Sequence, residues 1–303
     1  MRKPALDVER LSACLADRLR LVALHLRPIP VACARPVFKA TSFGVAPMFV
    51  KVTEREAAER TLGLLASADG CPFLPRPVIP EALVFEGQAV LCLEWKDAQP
   101  VDAESLTDGQ LASFLDACIR LSAALANYKG DIAPLGEDDP DEQFKRLADY
   151  ATRHPLVGWL LRPLLTIPPT ERSYGRRPLV VIHGDLQPKN FGFSGETLAA
   201  IYDTDDLTCG LACEDAAYAF TERARRSALP ASARQRLVER FLRFVELSPW
   251  PRADWLVAVN HARLRIAARR LASHPDALFV AFDIRRRDKP LRALADALKE
   301  ADA

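Results

Sequence analysis

The sequence predicts an α+β protein in which a small β-rich part precedes a larger helical part. From 31 to 53 the pattern turns to short β-like runs, "PVFKATSF" and "PMFVKVT", and the run 82–95, "ALVFEGQAVLCLEW", has a turn candidate at its centre. From residue 108 onward, most segments carry apolar residues at helical spacing instead. With 303 residues, 49% of them hydrophobic, the chain is long enough to form two lobes around a sizeable core.

One helix is expected to precede the β-rich part, and one is expected within it. Residues 6–26 carry apolar residues at helical spacing, among them Leu11 and Leu15, and Pro28 is expected to stop this first helix. A second, charged and Ala-rich helix is predicted in "EREAAERTLGLLA", ending near Gly70. The turn expected between the strands of the run "ALVFEGQAVLCLEW" is its Glu-Gly pair.

A connector separates this part from the helical one. Residues 96–107, "KDAQPVDAESLT", have no apolar periodicity, so we expect two lobes, 1–96 and 97–303. One β insertion, within 180–202, interrupts the helices of the second lobe. The helices predicted there span 108–128, 141–152, 155–166, 214–228, 232–247, 253–272 and 285–303.

Charge and cysteine content exclude several classes of function. The formal net charge is +1, so no overall field favours nucleic acid or an anionic membrane as a partner. No apolar run approaches the ~18 residues that a membrane-spanning helix needs. Among the cysteines, only Cys209 and Cys213 lie close together, without the further ligands of a zinc site. We therefore expect a soluble, cytoplasmic protein with no nucleic acid partner and no membrane span.

A polar cluster interrupts the apolar run "VVIHGDLQPKNFGF" at 180–193. A glycine-containing turn candidate after this run predicts that 191–194 folds back on 198–202 as a hairpin. Such a hairpin brings Asn190 beside Asp203, because these two residues flank its paired strands.

The side chains gathered there match the needs of phosphoryl transfer. Mg²⁺ is a hard cation that takes oxygen ligands and keeps several waters, so Asn190 and Asp203 are its candidate ligands. Asp185 lies five residues before Asn190, in a loop that can reach the same end of the hairpin. It is free to accept the proton of an acceptor hydroxyl. The sequence therefore predicts a base and a metal site side by side.

Phosphoryl transfer also needs a cation for the phosphates that are not transferred, and the first lobe offers Lys51 within the apolar run "MFVKV". A lysine in such a strand needs a carboxylate partner, because burying an unpaired ammonium group is costly. The following helix supplies three candidates, Glu54, Glu56 and Glu59. We favour Glu56, and the other two remain open.

The loop "HGDLQPKN" (183–190) resembles the catalytic loop of the aminoglycoside phosphotransferase and choline kinase family. The segment "YDTDD" (202–206) resembles the metal-binding segment of that family, and "EDAAYAF" resembles the helix that follows it. The runs "MFVKVT…EREAAERTLGLL" and "VLCLEW" resemble the family's strand lysine with its helix glutamate, and the strand that leads to its hinge. The resemblance spans about 36–222 and implies a bilobal, protein-kinase-like fold.

The resemblance also implies a role for each part of the site. Asp185 would be the catalytic base, Asn190 and Asp203 would bind Mg²⁺, and Lys51 would bind phosphates of ATP. Backbone groups of a hinge would hold the adenine, and two residues would support the catalytic loop. The hinge residues are Glu94, Trp95 and Lys96, and the supporting residues are His183 and Asp215.

Three features depart from the family's pattern. The first strands have no G-x-G-x-x-G loop to cover the phosphates, only "ATSFGVAP" at 40–47 with one glycine. Thr204 replaces the usual aromatic residue after the metal-binding aspartate, and Tyr202 stands where an aliphatic residue is expected. None of these changes removes a charged group. Asp205 and Asp206 either support the metal site or are plain loop acids.

Together these features predict an ATP- and Mg²⁺-dependent kinase that phosphorylates a hydroxyl group of a small acceptor, such as a sugar, an amino alcohol or an aminoglycoside-like compound. From 206 to 303, Lys and Arg exceed Asp and Glu by five, which slightly favours a neutral or anionic acceptor. Four of these cations lie on one predicted helix and are typical of a solvent-exposed face: Arg263, Arg265, Arg269 and Arg270.

Two alternatives remain beside this function. A protein or lipopolysaccharide kinase would use the same groups, although the short segment between Asp203 and Glu214 leaves little room for a peptide-docking loop. A catalytically inactive nucleotide-binding regulator would keep the fold but lose charged groups of the site, and here those groups are present.

Overall fold

The structure is a computed structural model, and it contains a small sheet-based lobe followed by a helical lobe. The residues that it describes are 6–29, 35–68, 71–130, 132, 139–225, 229–273 and 277–301. This α+β architecture confirms the fold class that the sequence predicts. Within these ranges, no helix is both long enough and apolar enough to cross a membrane.

The first lobe is built on a five-stranded antiparallel sheet. Its strands are β1 (His25–Pro28), β2 (Val37–Ser42), β3 (Val45–Thr53), β4 (Leu83–Phe85) and β5 (Gln88–Glu94). They lie in the order β1-β2-β3-β5-β4, so β3 is central. Glu86 and Gly87 form the predicted turn between β4 and β5, with φ values of 49° and 77° that suit a two-residue hairpin.

A helix covers one face of this sheet. In α1 (Val8–Leu19), Leu11 and Leu15 are buried and pack with the apolar residues of β2, β3 and β5. The prediction of a helix over 6–26 is wrong at its end. Arg20 adopts the left-handed conformation, with φ of 56°, and closes the helix. The chain can then extend again and form β1.

A second helix, α2 (Arg55–Ser67), packs against the opposite face of the sheet. Side chains alternate along a strand, so Leu91 of β5 contacts α2 whereas Val90 belongs to the cluster under α1. Lys51 pairs with Leu91 across β3 and β5 and therefore lies on the α2 face. The predicted end of this helix, Gly70, lies outside the described residues.

The second lobe packs helices around an aromatic core. The helices are α3 (Asp108–Ala126), α4 (Pro140–Arg153), α5 (Pro155–Leu165), α6 (Pro169–Arg172), α7 (Glu214–Arg225), α8 (Ala231–Leu247), α9 (Arg252–Ser273) and α10 (Ala277–Glu300). Phe114, Phe220, Phe241, Phe244 and Trp255 are fully buried, and their ring centroids lie 5.4–5.8 Å apart in edge-on or tilted pairs.

The helix bounds differ from prediction mainly in the last helix. α10 begins eight residues before the predicted 285 and contains Pro290 in its interior. The predicted extension of α7 to 226–228 lies outside the described residues.

The β insertion consists of two small antiparallel pairs. Its strands are β6 (Val180–Ile182), β7 (Phe191–Ser194), β8 (Thr197–Ile201) and β9 (Thr208–Gly210). β7 and β8 form the predicted hairpin, with Phe191 opposite Ile201. The pairing of β6 with β9 was not predicted, because three residues are too few to show a strand period. The segment 183–190 therefore connects two anchored strands.

One predicted surface residue is instead buried between α9 and α10. Arg263 is 5% exposed, and its guanidinium binds both carboxylate oxygens of Asp288 at 2.7 and 3.1 Å. The same guanidinium donates to the side chain of Asn260 at 2.8 Å. Such a bidentate pair fixes the two helices in register, because either charge left alone there would be uncompensated.

We predict that Arg263→Met lowers the free energy of unfolding by about 3–5 kcal/mol, because Asp288 would remain buried without its partner. Arg292→Met is the matched control, since Arg292 pairs with Asp296 in solvent and should cost less than about 1 kcal/mol. Urea denaturation followed by circular dichroism measures both. Equal small losses in the two variants would contradict the structural role of the buried pair.

Candidate active site

The loop between β6 and β7 is tied to two neighbouring elements. Asp215, in the first turn of α7, accepts hydrogen bonds from the backbone N–H groups of His183 at 2.7 Å and Gly184 at 2.9 Å. The ring nitrogen Nε2 of His183 lies 3.0 Å from the backbone oxygen of Tyr202. Burial raises the pKa of the Asp215 carboxyl above its usual value, although the His183 ring and the two N–H groups favour the charged form. The loop is thus fastened to α7 and to the end of β8.

Gly184 lets this loop turn sharply beside the segment that follows β8. Its φ is 79°, a left-handed conformation that favours glycine. A Cβ atom at this position would overlap the backbone oxygen of Asp206. The loop and the segment after β8 are therefore in close backbone contact.

Two amide side chains orient the carboxylate of Asp185. Nε2 of Gln187 donates to both carboxylate oxygens at 2.7 Å. Nδ2 of Asn190 donates to Asp185 Oδ2 at 2.9 Å and to the Asp185 backbone oxygen at 2.8 Å. Sequence reasoning found Asn190 but missed Gln187. The sequence signal for Gln187 was an amide side chain two residues after an aspartate in a tight turn, where polar side chains often form hydrogen bonds with nearby residues.

Asn190 and Asp203 lie side by side at the end of the β7–β8 hairpin. The backbone N–H of Tyr202 donates to the backbone oxygen of Asn190 at 2.7 Å and holds the two chain ends together. Asp203 adopts a left-handed backbone with φ of 64°, which is uncommon outside glycine. Burial raises the pKa of the Asp203 carboxyl, but the ammonium of Lys51 beside it outweighs this effect, so the pKa lies below its usual value.

The oxygen donors at this place suit a hard divalent cation. Asn190 and Asp203 offer an amide oxygen and a carboxylate, the ligand types that Mg²⁺ prefers. In the described ranges, no three His, Cys, Asp or Glu side chains are grouped to hold a metal alone. A cation here would therefore take its other ligands from phosphate and water. The pKa of Asp206 is raised by burial and by Asp185, Asp203 and Asp205, a crowding of negative charge that a cation would relieve.

The buried ammonium of Lys51 is paired with the helical lobe and not with α2. Lys51 is 5% exposed, its Nζ contacts the carboxylate of Asp203, and it lies 2.8 Å from Asp205 Oδ2. The prediction that Glu56 is the partner is wrong, because Glu56 is exposed on the first turn of α2. The other two candidates do not replace it, since Glu54 is exposed and Glu59 binds Arg55.

Asp205 is the centre of a buried polar cluster at the junction of the two lobes. Its carboxylate accepts hydrogen bonds from the hydroxyl groups of Thr61 at 3.2 Å and Thr53 at 3.4 Å. It also binds the guanidinium of Arg35, which precedes β2. Sequence reasoning left Asp205 open and missed Arg35, because these contacts join residues far apart in the chain.

The backbone N–H groups at the end of β5 and directly after it donate hydrogen bonds to other groups of the protein. The backbone N–H groups of Glu94 and Trp95 donate to the backbone oxygens of Arg76 at 2.7 Å and Pro47 at 3.3 Å. The N–H of Lys96 donates to the Tyr202 hydroxyl at 3.0 Å. Burial raises the pKa of that hydroxyl to about 12, which keeps it protonated.

The Tyr202 ring also lies 5.0 Å from the ring of Phe49 on β3. Tyr202, noted in the sequence as a departure, therefore connects the hinge segment to the end of β8. Lys96 is held on its other side by Glu94, whose Oε2 lies 2.9 Å from Lys96 Nζ.

A cavity of about 460 Å³ lies between the sheet and the helical lobe. It brings together most of the predicted site residues, namely Lys51, Trp95, Lys96, Asp185, Asn190 and Asp203. On the side of the sheet it is lined by Ile29, Arg35 and Val37, which flank the β1–β2 connection. The stretch "ATSFGVAP", which has no phosphate-covering glycine loop, forms the β2–β3 turn, where Phe43 points into solvent.

Comparison with known proteins identifies the family. A model of the phosphotransferase enzyme family APH matches residues 22–256. Among solved structures, an aminoglycoside phosphotransferase from Alicyclobacillus acidocaldarius is 12% identical with a TM-score of 0.64, and the alignment covers 99% of this chain and 97% of that one. No curated protein sequence matches the chain.

Two further solved structures share the fold. The amicoumacin kinase hAmiN, in complex with AMP-PNP, Ca²⁺ and Ami, is 16% identical with a TM-score of 0.60 over 94% of this chain and 96% of that one. The macrolide 2'-phosphotransferase MphH from Brachybacterium faecium is 16% identical with a TM-score of 0.55 over 96% and 98%. These similarities establish a common fold, which is the bilobal, kinase-like one that the sequence resemblance implies.

We predict that Gly184→Ala destabilises the protein more than Gly175→Ala. Both positions have positive φ, so alanine costs about 1–2 kcal/mol at each. Only at Gly184 does the new methyl group also meet the Asp206 backbone, which adds about 1–3 kcal/mol of overpacking. Urea denaturation of the two variants measures the difference, and equal losses would show that the loop does not press on Asp206.

Proposed function

The chain belongs to the phosphotransferase enzyme family APH, and we propose that it transfers the γ-phosphate of ATP, with Mg²⁺, to a hydroxyl group of a small molecule. One observation carries this proposal. A single cavity contains the oriented carboxylate of Asp185, the amide and carboxylate groups of Asn190 and Asp203, and the buried ammonium group of Lys51. Transfer of a phosphoryl group depends mainly on positioning and on neutralising charge, and these groups supply both.

In this proposal Asp185 is the catalytic base. The amide groups of Gln187 and Asn190 donate to its carboxylate, so the oxygens keep one orientation as the acceptor arrives. Asp185 would then align the acceptor hydroxyl with the γ-phosphate and take its proton as the new P–O bond forms and the bond from the γ-phosphorus to the β–γ bridging oxygen breaks, releasing ADP. His183 and Asp215 support this loop from the two sides described above.

The phosphates would contact positive charge from both lobes. Asn190 and Asp203 would hold Mg²⁺, which when bound supplies positive charge to the phosphates. Lys51 reaches the same cavity from β3 and would bind the phosphates that are not transferred. We take 1–96 as the nucleotide-binding lobe and 97–303 as the catalytic and acceptor-binding lobe.

The adenine would lie next to the segment after β5. Trp95 and Lys96 line the cavity there together with the rings of Phe49 and Tyr202, which offer an apolar slot for a base. Because the Lys96 N–H is bonded to Tyr202, a base that uses this N–H must displace the Tyr202 hydroxyl. Glu94 contributes indirectly by its ion pair with Lys96.

The acceptor is proposed only as a class. The similar structures are named for aminoglycosides, a macrolide and amicoumacin, which suggests a hydroxylated small molecule here as well. The excess of Lys and Arg over Asp and Glu after residue 206 does not narrow this class of acceptors. Arg263 is paired with Asp288 and Arg270 lies 3.8 Å from Asp283, and neither lines the cavity.

The direct test is transfer of ³²P from γ-labelled ATP with Mg²⁺ to a panel containing aminoglycosides, macrolides, sugars, amino alcohols and a generic protein. The proposal predicts a labelled small molecule and loss of labelling when EDTA removes the cation. Labelling of the protein substrate alone would support a protein kinase. Binding of Mg·ATP without any transfer or hydrolysis would support an inactive regulator.

We predict that Asp185→Ala lowers kcat by about 10²–10⁴, the range for loss of a positioned base, while the Kd of Mg·ATP stays nearly unchanged. Steady-state kinetics with the best acceptor and calorimetric titration with a non-hydrolysable ATP analogue measure the two quantities. Asp116→Ala is the matched control, since Asp116 is exposed on α3 and pairs with Arg120. Full activity of Asp185→Ala would rule out its role as the base.

A further inference from the structure

We propose, building on the kinase function above, that Asp205 is a positioning residue that holds two cations, Lys51 and Arg35, at the phosphate side of the cavity. Asp205 is itself 5% exposed, so it acts mainly through the groups that it binds. Asp205 takes the place of the α2 glutamate, Glu56, that was expected to pair with Lys51.

The contacts of Asp205 fix its carboxylate in one orientation. Oδ1 accepts from Thr61 of α2, whereas Oδ2 lies 2.8 Å from Lys51 Nζ and also binds Arg35. The hydroxyl of Thr61 in turn accepts a hydrogen bond from Thr204 at 3.1 Å. A carboxylate with this many donors cannot rotate without breaking charge-assisted bonds, so it is a rigid anchor.

Lys51 stands between two carboxylates that have different tasks. The Asp203 side chain is 30% exposed and lines the cavity as the proposed cation ligand, whereas the Asp205 side chain is 3% exposed. When a cation occupies Asp203, the contact with Asp205 can persist and keep the ammonium paired. Without Asp205 the buried ammonium would have only Asp203, and the two would compete with the cation and the phosphates.

Arg35 brings a second cation to the same anchor. It lies near the end of the β1–β2 connection, two residues before β2 begins. A guanidinium group binds phosphate oxygens with its planar fork, and Arg35 lines the cavity beside Lys51. We assign the phosphate-covering role to this side chain.

α2 explains why the carboxylate must come from the other lobe. The face that α2 buries consists of Ala57, Ala58, Thr61 and Leu64, so Thr61 is the buried polar side chain that α2 turns towards the Asp205 carboxylate. A threonine hydroxyl can orient a carboxylate but cannot neutralise an ammonium. Asp205 therefore supplies the charge, and the pairing of Lys51 requires contact between the two lobes.

The test is a set of double-mutant cycles on nucleotide affinity. Asp205→Asn should raise the Kd of a non-hydrolysable Mg·ATP analogue about 10- to 100-fold, the range for loss of a hydrogen bond to a charged group. Its effect should be clearly smaller in the Lys51→Met background, where Asp205 acts only through Arg35. Arg35→Gln should also raise this Kd, and its effect should be smaller in the Asp205→Asn background.

Adenosine binding separates positioning from general damage. The Kd of adenosine should stay unchanged in Asp205→Asn, because adenosine carries no phosphate. Glu56→Gln tests the competing partner and should leave both affinities unchanged, as should Asp116→Asn, a matched loss of a surface acid.

Three results would overturn the inference. The first is an equal loss of adenosine and Mg·ATP affinity in Asp205→Asn, and the second is an undiminished effect of Asp205→Asn when Lys51 is absent. The third is a loss of Mg·ATP affinity in Glu56→Gln. If the wild-type chain bound no Mg·ATP, the proposed function itself would fail, whereas normal wild-type binding with an unaffected Asp205→Asn variant would refute only the role of Asp205.

Discussion

The ammonium group of Lys51 is buried in the central strand of the sheet, and this constraint organises the rest of the site. A charge in that position must be paired, and its carboxylate partners, Asp203 and Asp205, belong to the helical lobe. The two lobes therefore meet at this ion pair. The cavity proposed to hold the nucleotide lies beside it, with Asp203, the proposed cation ligand, in its lining. Positive and negative groups thus face each other before any phosphate enters.

Around this contact the helical lobe supplies a loop with little freedom. Asp215 binds two backbone N–H groups of the loop, Gly184 presses its backbone against Asp206, and Gln187 fixes the carboxylate of Asp185. As the proposed base, Asp185 would lose little entropy when the acceptor binds, which is how positioned groups accelerate transfer. The β7–β8 hairpin likewise restricts Asn190, because the next residue, Phe191, pairs with Ile201 at the end of β8.

The sequence predicted the parts of the site that depend on short spacing. The order His183, Asp185, Asn190 and Asp203 lies on one loop and one hairpin, so local turn chemistry was sufficient to bring these residues together. The partner of Lys51 was not predictable in the same way. Which face of α2 meets the sheet is decided by packing of its small residues, and this turned Glu56 into solvent. The strand β1 was not predicted for a similar reason, because its pairing with β2, and not its composition, makes it a strand.

The most direct measurement is to map which lysine reacts with an ATP analogue that carries an acyl group on its terminal phosphate. Such a compound acylates amines that lie within reach of the bound phosphates, and the modified residue is identified by peptide mass spectrometry. We expect acylation of Lys51 and its suppression by excess Mg·ATP. Acylation confined to Lys39, Lys96 or Lys189, with Lys51 unmodified, would contradict the placement of the phosphates between the two lobes.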